Sequence, residues 1–252
     1  MFYLGWILLL FSCQTEKKMK NLNCDPETGI CSPSELSEES SDSLMNVADM
    51  KIIYVGDPMC SWCYGIAPEL KSLKDHYKAE GIPFEIIVGG LRPGGGDAWT
   101  PEFKEFLKHH WEQVNERSGQ PFGYKLFERD SFNYDTEPSC RAVVVAKEYL
   151  SDDLLAFFEV VQKKFYFDSE DPNEVVFYES ICKKFKIPFD EFKVKFESKE
   201  MKEATHQEFV LNREWGVSGY PAVVLLTGDE MQYVARGYAD FEQMKKTIEG
   251  LR

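Results

Sequence analysis

A pair of cysteines two residues apart, Cys60-Ser61-Trp62-Cys63, constrains this chain more than any other feature of its sequence. The pair follows a short apolar run at residues 52–55 and opens a segment with helical spacing, so it lies between a predicted strand and a predicted helix. At a helix start, free backbone amides and the positive end of the helix dipole stabilise a thiolate. Because the thiolate is the attacking species in disulfide exchange, the pattern predicts a redox pair in which Cys60 attacks and Cys63 resolves.

The residues alone leave two other interpretations of the pair. Two cysteines at this spacing can form half of a zinc site, with further ligands from Cys24, Cys31 or a histidine. However, the chain has no second pair with this spacing, and its four histidines lack metal-ligand spacing near a cysteine. The pair can also be inert and buried. We favour the redox pair, and we predict no metal site and no bound cofactor.

The charge balance limits the partners that the chain can bind. Its 252 residues include 43 acidic and 29 basic side chains, which gives a formal net charge of −14. Nucleic-acid binding needs clustered Lys and Arg, whereas the lysines here are interleaved with acidic residues at helical spacing. A hydrophobic content of 43% is enough for a sizeable core. We therefore predict a folded protein that does not bind nucleic acid.

The start of the chain has the pattern of a signal peptide. Residues 2–12 are mostly apolar and end in Leu10-Phe11-Ser12-Cys13, which resembles the bacterial lipobox. Residues 1–18 are therefore a candidate lipoprotein signal segment, and a lipid on Cys13 would be the only membrane attachment, in the cell envelope or periplasm. However, no Lys or Arg precedes the apolar run, and translation from Met19 would make the protein cytoplasmic.

Residues 19–49 are predicted to be a disordered tail and linker. Residues 32–48 are rich in Ser and Glu and show no apolar period. Cys24 and Cys31 bracket a turn-rich stretch that lets the two sulfurs meet. We consider them a candidate accessory redox pair or disulfide, with a weak metal clip or no defined role as the alternatives.

From residue 50 onward the sequence predicts the order strand, helix, strand, helical block, strand, strand, helix. Apolar runs flanked by Gly and Pro indicate buried strands, and the strand–helix–strand order at the start predicts a parallel pair. The strands are expected at residues 52–55, 84–88, 222–226 and 232–235, and the first helix at residues 60–78.

Capping patterns mark three further helix starts. Thr100 followed by Pro101 is typical of a cap and a first-turn proline. Asp171, with Glu174 three residues later, predicts a second start. Asp240 is expected to cap the final helix.

Two segments resemble the thioredoxin superfamily. Residues 60–68 are similar to its active-site helix, including a proline eight positions after the first cysteine, and residues 215–224 are similar to its cis-proline loop and following strand. Pro221 lies 161 positions after Cys60 (221 − 60), and the predicted helical block fills that gap. This arrangement resembles the DsbA family. The motifs at residues 57–63, 88–94 and 137–142 resemble the FrnE-type branch of that family.

The resemblance implies an α/β protein with a thioredoxin-like fold and a large inserted all-helical subdomain. Residues 50–98 and 215–252 would form the thioredoxin-like domain, and residues 99–214 the helical insertion. The resemblance also implies that the Tyr220-Pro221 peptide is cis, and that an extended substrate peptide pairs with the Tyr220 backbone beside Cys60. Trp62 is expected either to contact apolar substrate or to cover the disulfide.

The activity implied by the resemblance is thiol–disulfide oxidoreduction on protein or peptide substrates, with a separate redox partner protein. One alternative is a glutathione-dependent transferase or isomerase of the kappa class, whose members use a Ser near the helix start and lack the second Cys. Another is a non-catalytic adaptor that delivers clients to a protease. Trp62 departs from the Pro-His dipeptide of strongly oxidising DsbA proteins, so oxidase, isomerase and reductase activity all stay open.

Several further residues are expected to have ordinary structural roles. Arg92 is expected to lie where the chain exits a strand rather than to orient a carboxylate. Cys140 and Cys182 lie in helical patterns and are expected to be small buried side chains. No role is assigned to His109 and His110.

Overall fold

The computed structural model describes residues 22–24, 31–33 and 50–252. In the N-terminal part, strands β1 (Leu22–Cys24) and β2 (Cys31–Pro33) form an antiparallel pair whose register places Cys24 opposite Cys31. The expected signal segment, Cys13, Met19 and most of the expected linker lie outside the described residues, as do the Cys24 and Cys31 side chains. The accessory redox role of these two cysteines stays a prediction.

A four-stranded sheet lies at the centre of residues 50–252. Its strand order is β4-β3-β5-β6, in which β3 and β4 are parallel and β5 is antiparallel to both of its neighbours. The strands lie where the apolar runs predict them, and three of them extend one or two residues further because backbone pairing continues past the apolar residues. Their bounds are β3 (Met50–Gly56), β4 (Phe84–Val88), β5 (Ala222–Thr227) and β6 (Glu230–Arg236).

The pairing of β3 with β5 joins two distant parts of the sequence. Val55 lies opposite Ala222, and Tyr54 lies opposite Val223. Pro221, directly before β5, is therefore next to the end of β3 from which the chain leaves toward Cys60.

Helices cover one face of the sheet. Helices α1 (Ser61–Gly65) and α2 (Ala67–Ala79) follow β3, and α9 (Phe241–Leu251) ends the chain. Their apolar side chains pack in one core with inward residues of β3 and β5. The prediction of a single helix over residues 60–78 is wrong, because Pro68 has no amide to donate to Tyr64 and its ring crowds that carbonyl.

The stretch between β4 and β5 is helical and shares the same core. Among the described residues, no helix combines the length and apolar character that a membrane crossing requires. The elements of this stretch are α3 (Pro101–Ser118), a 3-10 helix (Lys125–Glu128), α4 (Glu137–Ala146), α5 (Leu154–Tyr166), a second 3-10 helix (Val175–Tyr178), α6 (Glu179–Phe185), α7 (Phe189–Glu197) and α8 (Lys199–Glu214).

Two of the three predicted caps are confirmed. The Thr100 hydroxyl accepts a hydrogen bond from the Phe103 amide at 3.2 Å. The Asp171 prediction is wrong: its carboxylate accepts from the Asn173 amide at 2.9 Å, and the next helix is a 3-10 turn that begins at Val175. A short Asp side chain can bond the backbone two residues on, and this local turn competes with a helix start.

We expect Asp240→Ala to lower the free energy of unfolding by about 1 kcal/mol. Asp240 accepts from the Gln243 amide at 2.8 Å, and the Gln243 side chain accepts from the Asp240 amide at 3.1 Å. Denaturant unfolding measures the loss. Glu242→Ala, which removes an exposed carboxylate from the same turn, is the control. An equal loss in both variants would show that charge, and not the cap, stabilises α9.

Candidate active site

The cysteine pair lies at the start of α1. Cys60 occupies the position before the helix, Cys63 lies within it, and both are free thiols. The exposed fraction is 5% for Cys60 and 1% for Cys63. Cys60 is therefore the less buried residue of the two, and the order of attack and resolution stays a prediction.

The Cys60 sulfur points toward the proline loop. Its Sγ lies 3.5 Å from the backbone oxygen of Tyr220 and donates to it, and the Tyr220-Pro221 peptide is cis as expected. The sequence also predicts that the first amides of the helix stabilise this sulfur, yet it accepts no capping hydrogen bond. The sulfur interacts with the Tyr220 carbonyl instead.

Cys63 is held as a thiol. Burial and the neighbouring Cys60 raise the pKa of Cys63 well above its ordinary value. Its Sγ lies 3.5 Å from the amide nitrogen of Asp57, which donates to it. Because resolution needs the Cys63 thiolate, this step is expected to become faster as the pH rises.

A fully buried carboxyl group lies in the same loop. Asp57 accepts hydrogen bonds from the amides of Met59 at 2.8 Å and Leu91 at 2.6 Å, and it thereby ties the loop after β3 to the loop after β4. Burial raises the pKa of Asp57, and the hydrogen bond from Leu91 partly offsets the increase. The sequence alone predicts no role for Asp57. The one feature of the sequence that could have indicated its role is the position of this carboxylate at the end of a predicted buried strand.

Cys140 extends this cluster. It is fully buried, as expected, but its Sγ also lies 3.5 Å from Oδ2 of Asp57 and donates to it. Burial and the Asp57 charge raise the pKa of Cys140 well above its ordinary value. Cys182 is buried as expected.

Tyr220 is fixed against the end of β4. Its hydroxyl donates to the Gly89 oxygen at 2.6 Å. A Cβ atom at Gly89 would lie 2.5 Å from the Tyr220 ring, so only glycine allows this approach. The contact sets the position of the carbonyl that faces Cys60.

Trp62 is half-buried and retains an exposed surface next to the thiols. Its ring centroid lies 6.2 Å from that of Tyr238, and the Arg117 guanidinium lies 4.8 Å from the Tyr238 ring. Trp62 thus packs beside Tyr238 and keeps part of its surface exposed, and its role in substrate contact or in covering the disulfide stays a prediction.

The remaining residues singled out in the sequence lie away from this cluster or serve the fold. Arg92 pairs with the carboxylate of Asp97 and lies 5.3 Å from the Phe103 ring, so the expectation that it orients no carboxylate is wrong, although this carboxylate belongs to the chain itself. His109 and His110 lie on the outer part of α3. Within the described residues, no three His, Cys, Asp or Glu side chains are grouped as metal ligands.

Comparison with known proteins gives matches among solved structures. No protein-family model and no curated protein matches the chain. A candidate protein disulfide isomerase from Nitrosomonas europaea is 31% identical, with a TM-score of 0.73, and the match covers 80% of this chain and 97% of that one.

Two further structures share the fold at lower identity. The cytosolic disulfide reductase DsbM from Pseudomonas aeruginosa is 20% identical, with a TM-score of 0.65 and coverage of 80% of this chain and 98% of that one. The oxidoreductase DsbA from Xylella fastidiosa is 12% identical, with a TM-score of 0.51 and coverage of 82% and 86%. These matches confirm the expected thioredoxin-like fold with its helical block. The Nitrosomonas protein, at 31% identity over 97% of its length, shows that the chain belongs to the DsbA-like family of thioredoxin-fold thiol oxidoreductases.

Proposed function

We propose that this chain is a protein thiol–disulfide oxidoreductase of the FrnE type, in which Cys60 attacks and Cys63 resolves. The observation that carries the proposal is the position of the Cys60 Sγ, 3.5 Å from the Tyr220 carbonyl at a cis peptide, with a second free thiol within α1. A nucleophile, a resolving group and a backbone site for substrate are thus within one small region.

The loop before Pro221 can hold an extended peptide. Within residues 50–252, the amides of Ser218, Gly219 and Tyr220 donate to no backbone carbonyl, and Ser218 and Gly219 are exposed. Unpaired main-chain groups of this kind bind a peptide by strand addition. The Tyr220 carbonyl accepts from Cys60 in the free protein, and it becomes available to a peptide amide when the Cys60 sulfur bonds to the substrate.

The reaction proceeds by two exchanges. The Cys60 thiolate attacks one sulfur of a substrate disulfide; a Cys60–substrate bond forms, and the other substrate sulfur leaves as a thiolate. The Cys63 thiolate then attacks the Cys60 sulfur and releases the second substrate thiolate. The substrate gains two electrons, the enzyme retains a Cys60–Cys63 disulfide, and an external thiol or a redox partner protein must reduce it.

The surroundings of the pair favour this reducing direction. A strongly oxidising pair owes its potential to a stabilised reduced form. Here burial and the neighbouring Cys60 raise the pKa of Cys63. Both disfavour a thiolate, and a less stable reduced form gives a lower reduction potential.

Replacing Cys63 with Ala tests the proposal. In this variant the first exchange can occur but resolution cannot, so one peptide should be covalently bound to each chain after incubation with a peptide disulfide. Mass spectrometry of the intact protein and of its fragments measures the adduct and its position, which should be Cys60. Adding a thiol reductant should release the peptide.

The double variant Cys60→Ala/Cys63→Ala is the control and should form no adduct. The proposal would be wrong if Cys63→Ala formed no adduct. It would also be wrong if the peptide were attached to Cys140 or Cys182 while Cys60 stayed unmodified.

A further inference from the structure

A cleft of about 300 Å³ lies between the proline loop, the loop after β4 and helix α8. We call it the α8 cleft. Ser218, Gly219 and Tyr220 line one side, and these are the residues whose amides are available to a peptide. The cleft therefore borders the place where substrate would lie beside Cys60.

The walls of the α8 cleft are mainly apolar. Leu91 is 42% exposed, and the Tyr220 and Phe209 side chains also line the cleft. Gly90 has a φ of 71°, and a Cβ there would lie 2.7 Å from the Phe209 ring. These walls suit the aliphatic part of a side chain.

A cation without an intramolecular partner lies at this cleft. Arg213 is exposed, and it takes part in no ion pair, hydrogen bond or aromatic contact through its guanidinium with any described residue. The other arginines of the chain all have such a partner: Arg92 has Asp97, Arg129 has Asp171, Arg141 has Glu137, Arg252 has Glu80, and Arg117 and Arg236 lie over tyrosine rings. In a chain of net charge −14, an unpaired guanidinium is a local positive site.

We propose that the α8 cleft binds an acidic side chain of the substrate protein, next to the half-cystine that Cys60 attacks, with Arg213 as the residue that determines this preference. The inference rests on the proposed function and names the substrate class of the same site. A peptide that is paired with Tyr220 and has its sulfur at Cys60 would run along Ser218 and Gly219, which line the cleft. Glutamate fits best, because its methylene groups can pack on Leu91 and Phe209 while its carboxylate pairs with Arg213.

The test uses peptides whose single cysteine carries thionitrobenzoate as a mixed disulfide. Glu, Gln or Lys is placed next to the cysteine on either side. Reduced enzyme converts each peptide to a free thiol and releases coloured thionitrobenzoate, while its own two thiols form the Cys60–Cys63 disulfide. Because each reduced enzyme molecule reacts once, initial rates give the second-order rate constant of this exchange, which corresponds to kcat/KM.

We expect the wild-type kcat/KM to be roughly fivefold higher for the Glu peptide than for the Lys peptide at low ionic strength, with a smaller difference in high salt. Arg213→Gln should remove the preference, and Arg213→Glu should reverse it. Reversal is the informative readout, because a variant that merely damaged the fold would slow all peptides alike.

Arg236→Gln is the matched control. Arg236 is also exposed and lines a separate cleft of about 180 Å³ against the same loop, but its guanidinium lies 3.8 Å from the Tyr233 ring. The Glu preference should persist in this variant.

Three results would overturn the inference while leaving the proposed function intact. These are an unchanged preference in Arg213→Glu, loss of the preference in Arg236→Gln, and an Arg213 effect seen only with the mixed disulfide of glutathione and thionitrobenzoate, which is assayed beside the peptides and would identify a small thiol as the occupant. If wild-type enzyme turned over none of the peptides, the proposed function itself would be refuted, and this inference with it.

Discussion

Replacing Cys60 with Ser is expected to lower the turnover of a peptide disulfide by roughly 10³-fold or more, because exchange needs a thiolate nucleophile and a serine hydroxyl is not ionised near neutral pH. The substitution changes one atom in a buried side chain, so the fold should persist and circular dichroism should be unchanged. The measurement is the initial rate of peptide reduction with a thiol reductant present in excess.

Cys182→Ser is the matched control. It exchanges the same atoms at another buried cysteine, where burial raises the pKa of the thiol to about 12. Among the described residues, no hydrogen bond joins Cys182 to Cys60, Cys63 or Asp57, so turnover should stay near the wild-type value. If both variants lost activity, the loss in Cys60→Ser would reflect a damaged core.

The same variants separate the competing functions. Glutathione conjugation that survived Cys60→Ser would indicate a glutathione-dependent transferase, since the serine could take the place of the thiol. Client delivery that survived Cys60→Ala/Cys63→Ala would indicate a non-catalytic adaptor. For an oxidoreductase, both activities should be absent.

Replacing Asp57 with Asn is expected to raise the reduction potential of the Cys60–Cys63 pair by about 30 mV, a tenfold change in the equilibrium constant. The reason is electrostatic: removal of a buried negative charge beside the thiols stabilises the thiolate and hence the reduced form. Equilibration with glutathione redox buffers measures the potential. Asp75→Asn, at an exposed carboxylate on α2 that pairs with Lys71, should leave the potential unchanged. A negative shift in Asp57→Asn would show that the carboxyl does not act through its charge.

The same substitution should change how stability depends on pH. Burial raises the pKa of Asp57 in the folded state above its value in the unfolded chain. The folded protein therefore retains this proton to a higher pH, and its stability falls as the pH rises from the unfolded pKa through the folded one. Asp57→Asn should remove this part of the slope, which denaturant unfolding over a pH series measures. The slope is the appropriate readout, because the variant also loses an acceptor for the Leu91 or Met59 amide.

Features that depend on local sequence could be predicted well. The apolar runs give the four strands of the sheet, and Thr100 and Asp240 mark real helix starts. The position of the cysteine pair between a strand and a helix follows from the same patterns. The cis peptide at Pro221 came only from the family resemblance, since an X-Pro dipeptide by itself does not specify the isomer.

Features that depend on long-range packing could not be predicted. Cys140 meets Asp57 across 83 positions of sequence, and this contact exists only because α4 packs against the loop after β3. In the same way, Arg213 is an ordinary helical residue in the sequence. Only the three-dimensional structure shows that the Arg213 guanidinium has no partner among the described residues, whereas the other arginines have one.

The pairing of β3 with β5 makes the spacing of the reactive groups independent of the chain between them. Val55 opposite Ala222 fixes the distance from the thiols to Pro221, whatever number of residues connects the two strands. Insertions and deletions in the loops between the helices are therefore expected to leave the distance from the thiols to Pro221, and with it the activity, unchanged. A chain that ends before β5, in contrast, would lack the strand that places the Tyr220 carbonyl opposite Cys60. An incomplete chain leaving the ribosome therefore carries both thiols without a functional centre.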